Sequence, residues 1–158
     1  MPPTRGFSLI EILIVVVILA IIAAIVLPQY GGVTAQANQS TIKENLAKIR
    51  AQMQIFRNQH AAYPSAADFA GEMTLYTDAG GNTSNTKDTT FRYGPYLERV
   101  PVNSVTNSAA IRAVTSAAEA FAPAAANGGW WYNEASGDFR ADLMNTLVDD
   151  NGTPYNQF

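Results

Sequence analysis

The stretch Arg5-Gly6-Phe7-Ser8-Leu9-Ile10-Glu11 runs without interruption into residues 12–27, sixteen consecutive apolar residues. A helix over residues 7–27 rises roughly 31 Å at about 1.5 Å per residue, close to the hydrocarbon thickness of a bilayer. The run is rich in Val and Ile, which favour helix only weakly in water. Lipid reverses that preference, because a lone segment there satisfies its backbone N–H and C=O groups only as a helix. The composition therefore predicts a membrane-spanning helix that carries one carboxylate, Glu11. A charge inside such a segment costs on the order of 2–3 kcal/mol near the centre and less towards an end, so Glu11 asks for a reason.

Three readings of this segment compete. A secretory signal has about 7–15 apolar residues followed by a small-residue cleavage site. Here Ile25-Val26-Leu27-Pro28 supplies no A-x-A pattern, although Ala20, Ala23 and Ala24 lie nearby. A simple anchor, oriented by Arg5 on the cytoplasmic side, accounts for everything except Glu11. In that reading Glu11 reaches back to interfacial water. The third reading gives Glu11 a partner of opposite charge.

The motif resembles the N termini of type IV pilins and of the pseudopilins of type II secretion, whose precursors carry a short polar leader, then G-F-T/S-L-x-E and a long apolar helix. Arg5-Gly6-Phe7-Ser8-Leu9-Ile10-Glu11 supplies the match. The resemblance implies that a dedicated membrane peptidase cuts between Gly6 and Phe7, that the new amine of Phe7 is methylated, and that the helix stays on the protein. It also implies that Glu11 pairs with the Phe7 amine of a neighbouring subunit during filament assembly. Opposite charges in low dielectric attract strongly, and each is otherwise stranded among apolar groups. Gly6 presents no side chain to an approaching peptidase.

Pro28 removes one intrahelical hydrogen bond, and Gly31 and Gly32 weaken the next turn, which predicts a kink or local unwinding around residues 24–32. The helical pattern then resumes. Ile42, Leu46, Ile49, Met53 and Phe56 step by four and three and form one packing stripe. His60, the lone histidine, stands near the helix end and reads as a surface residue. These features divide the chain into a leader (1–6), a transmembrane or filament-core helix (7–29), the amphipathic half of the same helix (30–62) and a C-terminal globular domain (63–158). The expected fold is α+β: a pilin-like lollipop whose long helix packs on a small antiparallel sheet.

In the C-terminal domain, Tyr63-Pro64-Ser65-Ala66-Ala67-Asp68 reads as a helix stop and a restart, with Ser65 as N-cap of a helix over residues 65–76. Residues 77–90 are polar and Gly/Asn-rich and read as a surface loop. Gly94-Pro95-Tyr96-Leu97 leads into an extended stretch. Tyr63-Pro64-Ser65 and Gly94-Pro95-Tyr96-Leu97 resemble the Y-P-T and G-P-Y-L segments of the major pseudopilin, although Asn103-Ser104-Val105 stands where that protein has D-P-W-G. Residues 111–121 read as helix or strand, with alanine favouring helix weakly. Residues 130–133 and 138–143, separated by Glu134-Ala135-Ser136-Gly137, form a hairpin pattern. Alternation sends Trp130 and Trp131 to opposite faces, at least one of them core.

Composition excludes several classes. No cysteine is present, so there is no disulfide framework and no thiolate nucleophile. One histidine and no phosphate-cradling glycine motif leave no catalytic constellation, and an enzyme is not expected. No basic patch points to nucleic acid. Residues 1–63 carry a net +3 and residues 64–158 a net −6. Acidic and amide oxygens cluster at Asp149-Asp150-Asn151 and at Asp78, Asn82, Asn85 and Asp88, ligand types suited to calcium. The resemblance adds that major pseudopilins bind calcium in a C-terminal loop, so Asp149, Asp150 and Asn151 are the candidate ligands. The expected function is that of a structural filament subunit of the major-pseudopilin type, held in the bacterial inner membrane with its domain in the periplasm. Its expected partners are further copies of itself, the prepilin peptidase, an inner-membrane assembly platform and the bilayer. A type IV pilus subunit and a membrane-anchored module that binds a glycan or exported protein are the alternatives.

Overall fold

The structure, a computed structural model, describes residues 8–123, 128–149 and 151–158, without the side chains of residues 27–34. The chain divides into two units, Met1–Ala37 and Asn38–Phe158. The first unit holds the apolar part of helix α1, which runs over Leu9–His60. Fourteen large apolar side chains between Leu9 and Val26 are exposed, Leu9 at 86% and Val26 at 39%. At about 1.5 kcal/mol for each such side chain kept from an apolar environment, the total is on the order of 20 kcal/mol. That exceeds the roughly 5–15 kcal/mol by which a whole domain is stable, so this surface requires an apolar environment. The segment Leu9–Val26 is long and apolar enough to cross a membrane. Helix α1 is continuous through residues 24–32, so the chain is not locally unwound there.

In the second unit, the C-terminal part of α1 presents the stripe read from the sequence. Ile42, Leu46, Ile49, Met53 and Phe56 are all buried at 2% exposure or less. They pack with Phe69 and Met73 of helix α2 (Phe69–Thr74) and with Trp130, Tyr132, Phe139 and Ala141 of the sheet. That sheet has three strands in the order β3 (Ile111–Val114), β4 (Trp130–Asn133), β5 (Asp138–Ala141). Strands β4 and β5 form the expected hairpin, with Asn133 opposite Asp138. Gly137, at φ +72°, closes the turn, and a side chain there would overlap the Tyr63 ring. Strand β3 pairs parallel to β4, so the sheet is mixed rather than purely antiparallel.

Three local expectations are corrected and one open alternative is settled. Helix α2 is six residues long and its N-cap is Asp68, which accepts from the Gly71 N–H at 3.1 Å. The Ser65 hydroxyl also accepts from the Asp68 N–H at 3.2 Å and donates to Glu72 at 2.5 Å, but the bond from Asp68 closes the non-helical turn that precedes α2. Within residues 111–121, where helix and strand were both open, Ile111–Val114 is strand, because cross-strand bonding to β4 outweighs a weak alanine propensity. The loop at 77–90 contains a short antiparallel pair, β1 (Tyr76–Thr77) and β2 (Thr83–Ser84). His60 is half-buried rather than free on the surface: its ring stacks on Phe56 at 4.1 Å, and its Nε2 lies 2.9 Å from the Tyr96 hydroxyl and 3.1 Å from that of Thr77.

Side chains tie these layers together. Arg50 on α1 donates from Nε and Nη2 to the Phe139 carbonyl at 3.0 and 2.7 Å and from Nη2 to the Phe158 backbone oxygen at 2.6 Å. Burial lowers the pKa of its guanidinium, yet arginine stays charged, so these carbonyls take the place of bulk water. The Trp130 indole donates to the Pro101 carbonyl at 2.7 Å and the Tyr132 hydroxyl to that of Pro64 at 2.6 Å. Burial also raises the Tyr132 pKa, holding it as a neutral donor. Phe56 touches both His60 and Tyr96. Truncating Phe56 to alanine is expected to cost about 3–5 kcal/mol, while Lys48→Ala on the exposed face stays within about 0.5 kcal/mol; urea unfolding of the full chain in detergent measures both.

Candidate assembly site

Helix α1 begins with a reciprocal cap. The Glu11 N–H donates to the Ser8 hydroxyl at 3.2 Å, and the Ser8 N–H donates to Glu11 Oε2 at 2.7 Å. Ser8 and Glu11 thus form an S-x-x-E capping box, which satisfies two of the donors that any helix start leaves unpaired. The spacing was visible in the sequence, yet the apolar run drew attention to the charge of Glu11 rather than to its distance from Ser8. A carboxylate in the first turn also meets the positive end of the helix dipole. The cap fixes where Glu11 sits without neutralising it. Gly6 and Phe7, the expected processing and pairing residues, lie outside the described residues. Pro28 lies within the continuous α1, its side chain undescribed.

The candidate calcium residues have a different arrangement. Asp149 is 8% exposed. Its Oδ1 accepts from the Asn151 and Thr153 N–H groups at 2.9 and 2.8 Å, and its Oδ2 from Gln39 Nε2 at 3.1 Å, with Lys43 Nζ 3.9 Å away. The Thr153 N–H, assisted by Asn151 and Lys43, holds this carboxyl below the usual range. Calcium wants about six to eight oxygen ligands. Both oxygens of Asp149 are already committed to protein donors beside a lysine, which does not fit a cation site; Asp150 lies outside the described residues. In the other loop, Asp78 accepts from Gly80, Asn82 N–H and Asn82 Nδ2, and Asp88 accepts from the Thr90 and Phe91 N–H groups, each closing its own turn. Among the described residues no three His, Cys, Asp or Glu side chains converge as metal ligands.

The arrangement defines the class: a pilin-like protein, with a capped apolar N-terminal helix and an α+β domain built on the second part of that helix. Residues 1–27 match the prokaryotic N-terminal methylation motif. Over 98 residues the chain is 34% identical to the type II secretion system core protein G of Pseudomonas aeruginosa, covering 62% of this chain and 66% of that protein. It is 37% identical over 79 residues to the type IV major pilin protein PilA of Myxococcus xanthus, covering 50% of this chain and 34% of that one. It is 34% identical over 80 residues to the type IV narrow pilus major component PilA5 of Thermus thermophilus, with coverage of 51% and 65%. The chain thus spans 66% or less of the length of these relatives. No solved structure matches. This chain is a relative of the type II secretion pseudopilins and the type IV pilins, with the methylation motif at its N terminus.

The Asp149 turn carries a pH dependence of defined sign. A carboxyl held below its ordinary value of about 3.9 stabilises the fold above that pH, and the contribution is lost as pH falls through the lower folded value. Asp149→Asn is therefore expected to be less stable than the parent chain at pH 7, with the gap closing as the pH falls below the ordinary carboxyl range; thermal unfolding against pH measures it.

Proposed function

We propose that this chain is a structural subunit of a pilus-like filament, of the major-pseudopilin type, processed after Gly6 and assembled through its N-terminal helix. The observation that carries the reading is a carboxylate in the first turn of a helix whose apolar surface the chain itself leaves exposed. Such a helix is suited to two environments in succession, a bilayer and the shared interior of a filament. In the bilayer its N terminus lies on the cytoplasmic side and the domain in the periplasm. A prepilin peptidase removes residues 1–6 and methylates the Phe7 amine. Glu11, already placed by its cap to Ser8, meets the Phe7 amine of the next copy as an inner-membrane assembly platform extracts the subunit. A bend at Pro28 lets the helix adjust its course.

The major-pseudopilin reading is favoured by the similarity to the type II secretion core protein and by the Tyr63-Pro64-Ser65 and Gly94-Pro95-Tyr96-Leu97 segments. In place of D-P-W-G, the fully buried Asn103 holds the local turn, donating to the Gly129 carbonyl at 2.9 Å and accepting from the Val105 N–H at 3.0 Å. In the closed domain the adjacent tryptophans offer a glycan no stacking surface, since both are buried.

The cap separates two roles of Glu11 that one experiment can distinguish. Glutamine serves the capping box as glutamate does but carries no charge. Glu11→Gln is expected to insert into the membrane at the parent level and to yield no sheared filaments, by immunoblot of membrane and filament fractions. Normal filaments from this variant would overturn the pairing. Intact mass of the parent chain from both fractions is expected to show a start at Phe7 with one added methyl group.

A further inference from the structure

The three-stranded sheet has two faces, and the second is also closed. Trp130, Tyr132, Phe139 and Ala141 point into the main core with the α1 stripe, whereas Trp131 is 1% exposed and lies outside that core. Its register neighbours are Arg112 on β3 and Arg140 on β5. The segment over them is residues 115–123, which contains neither helix nor strand and whose residues 115–120 are exposed. Phe121 meets the Trp131 ring edge-on at 5.3 Å, and the Arg140 guanidinium lies 5.6 Å from the Phe121 ring. The remaining ties are polar. Arg112 Nη2 donates to the Ala122 carbonyl, and Asn133 Nδ2 donates to the carbonyls of Ser116 and Glu119 at 2.9 and 3.2 Å.

Two features set this cover apart from the main core. Of its nine residues, Phe121 provides the ring contact with the indole, while the ties to Ser116, Glu119 and Ala122 run through main-chain carbonyls that water serves equally well. Among the described residues the buried Trp131 indole N–H has no hydrogen-bond partner, whereas that of Trp130 is bonded to Pro101. An unpaired buried donor regains its hydrogen bond when its site opens, so it works against closure. Segments with little buried apolar surface open at lower cost than the global transition.

We propose that residues 115–123 form a strap that lifts from the sheet independently of the main core, uncovering Trp131 between Arg112 and Arg140. The sheet itself survives the opening, because Arg112 keeps its bidentate pair with the buried Asp142, at 2.9 and 2.8 Å, and β4 stays bonded on both edges. The opened face is an indole flanked by two guanidinium-bearing positions, each paired with a carboxylate, Arg112 with Asp142 and Arg140 with Asp138. This device is separate from the filament reading and does not depend on Glu11.

Exchange of the two indole protons tests it in the full chain in detergent micelles, followed by NMR in deuterated buffer. Both rings are closed to water, at 0% and 1% exposure, so each proton exchanges only on opening. The Trp131 proton is expected to exchange at least tenfold faster than that of Trp130, at a rate unchanged by low urea, while the Trp130 rate climbs with urea as global unfolding does. Phe121→Ala is expected to accelerate Trp131 further and leave Trp130 unchanged. A Trp131 rate within tenfold of Trp130, or a Phe121→Ala variant that speeds both equally, would overturn the strap as an independent unit.

Discussion

One stripe on α1 supports the whole folded domain. Ile42, Leu46, Ile49, Met53 and Phe56 are buried against α2, β4 and β5, and the loops are fastened to that layer by donors that the same packing excludes from water. Arg50 shows the dependence. It stands among these residues on α1 and reaches two backbone oxygens, at Phe139 and Phe158, far apart in sequence. A helix that moved relative to the sheet would strand its guanidinium without acceptors, and a buried unpaired charge is costly.

The N-terminal unit obeys a different constraint. Between Ile12 and Val26 its side chains are apolar and its large ones are exposed. What distinguishes it from a plain anchor is the first turn, where Ser8 and Glu11 satisfy each other's backbone donors. The cap gives Glu11 a local structural role and a defined position. It leaves the charge uncompensated, so the cap and an electrostatic partner answer separate physical needs. The relatives are named as a secretion system core protein and as major pilin components.

Polar residues that looked like ligands serve as turn formers. Asp149 bonds two N–H groups of its own turn and stands beside Gln39 and Lys43. Asp78 does the same around Asn82, whose side chain is the main reason its pKa is lowered. Short acidic loops supply oxygens in either case; the donors that the fold brings to them decide which use they serve.

Much of this was legible in the sequence because it depends on local period and composition. The apolar run, the 4–3 stripe, the Gly137 hairpin and the Gly6-Phe7-Ser8-Leu9-Ile10-Glu11 motif each carry their meaning within a few residues. Where the reading went astray, a partner distant in sequence had intervened. Ser65 was drawn to Glu72 and left Asp68 to cap α2, the open choice at Ile111–Val114 fell to strand because β4 lay beside it, and His60 turned towards Phe56, Thr77 and Tyr96. Both tryptophans proved buried, one in the core and one beneath residues 115–123. The sequence by itself determined the membrane-compatible helix and its buried stripe, since hydrophobic period and local spacing suffice for them, and its N terminus matches the methylation motif. Only the tertiary structure decided the parallel pairing of β3, the commitments of Asp149 and the closure over Trp131, because each depends on groups that meet only after the chain has folded back on itself.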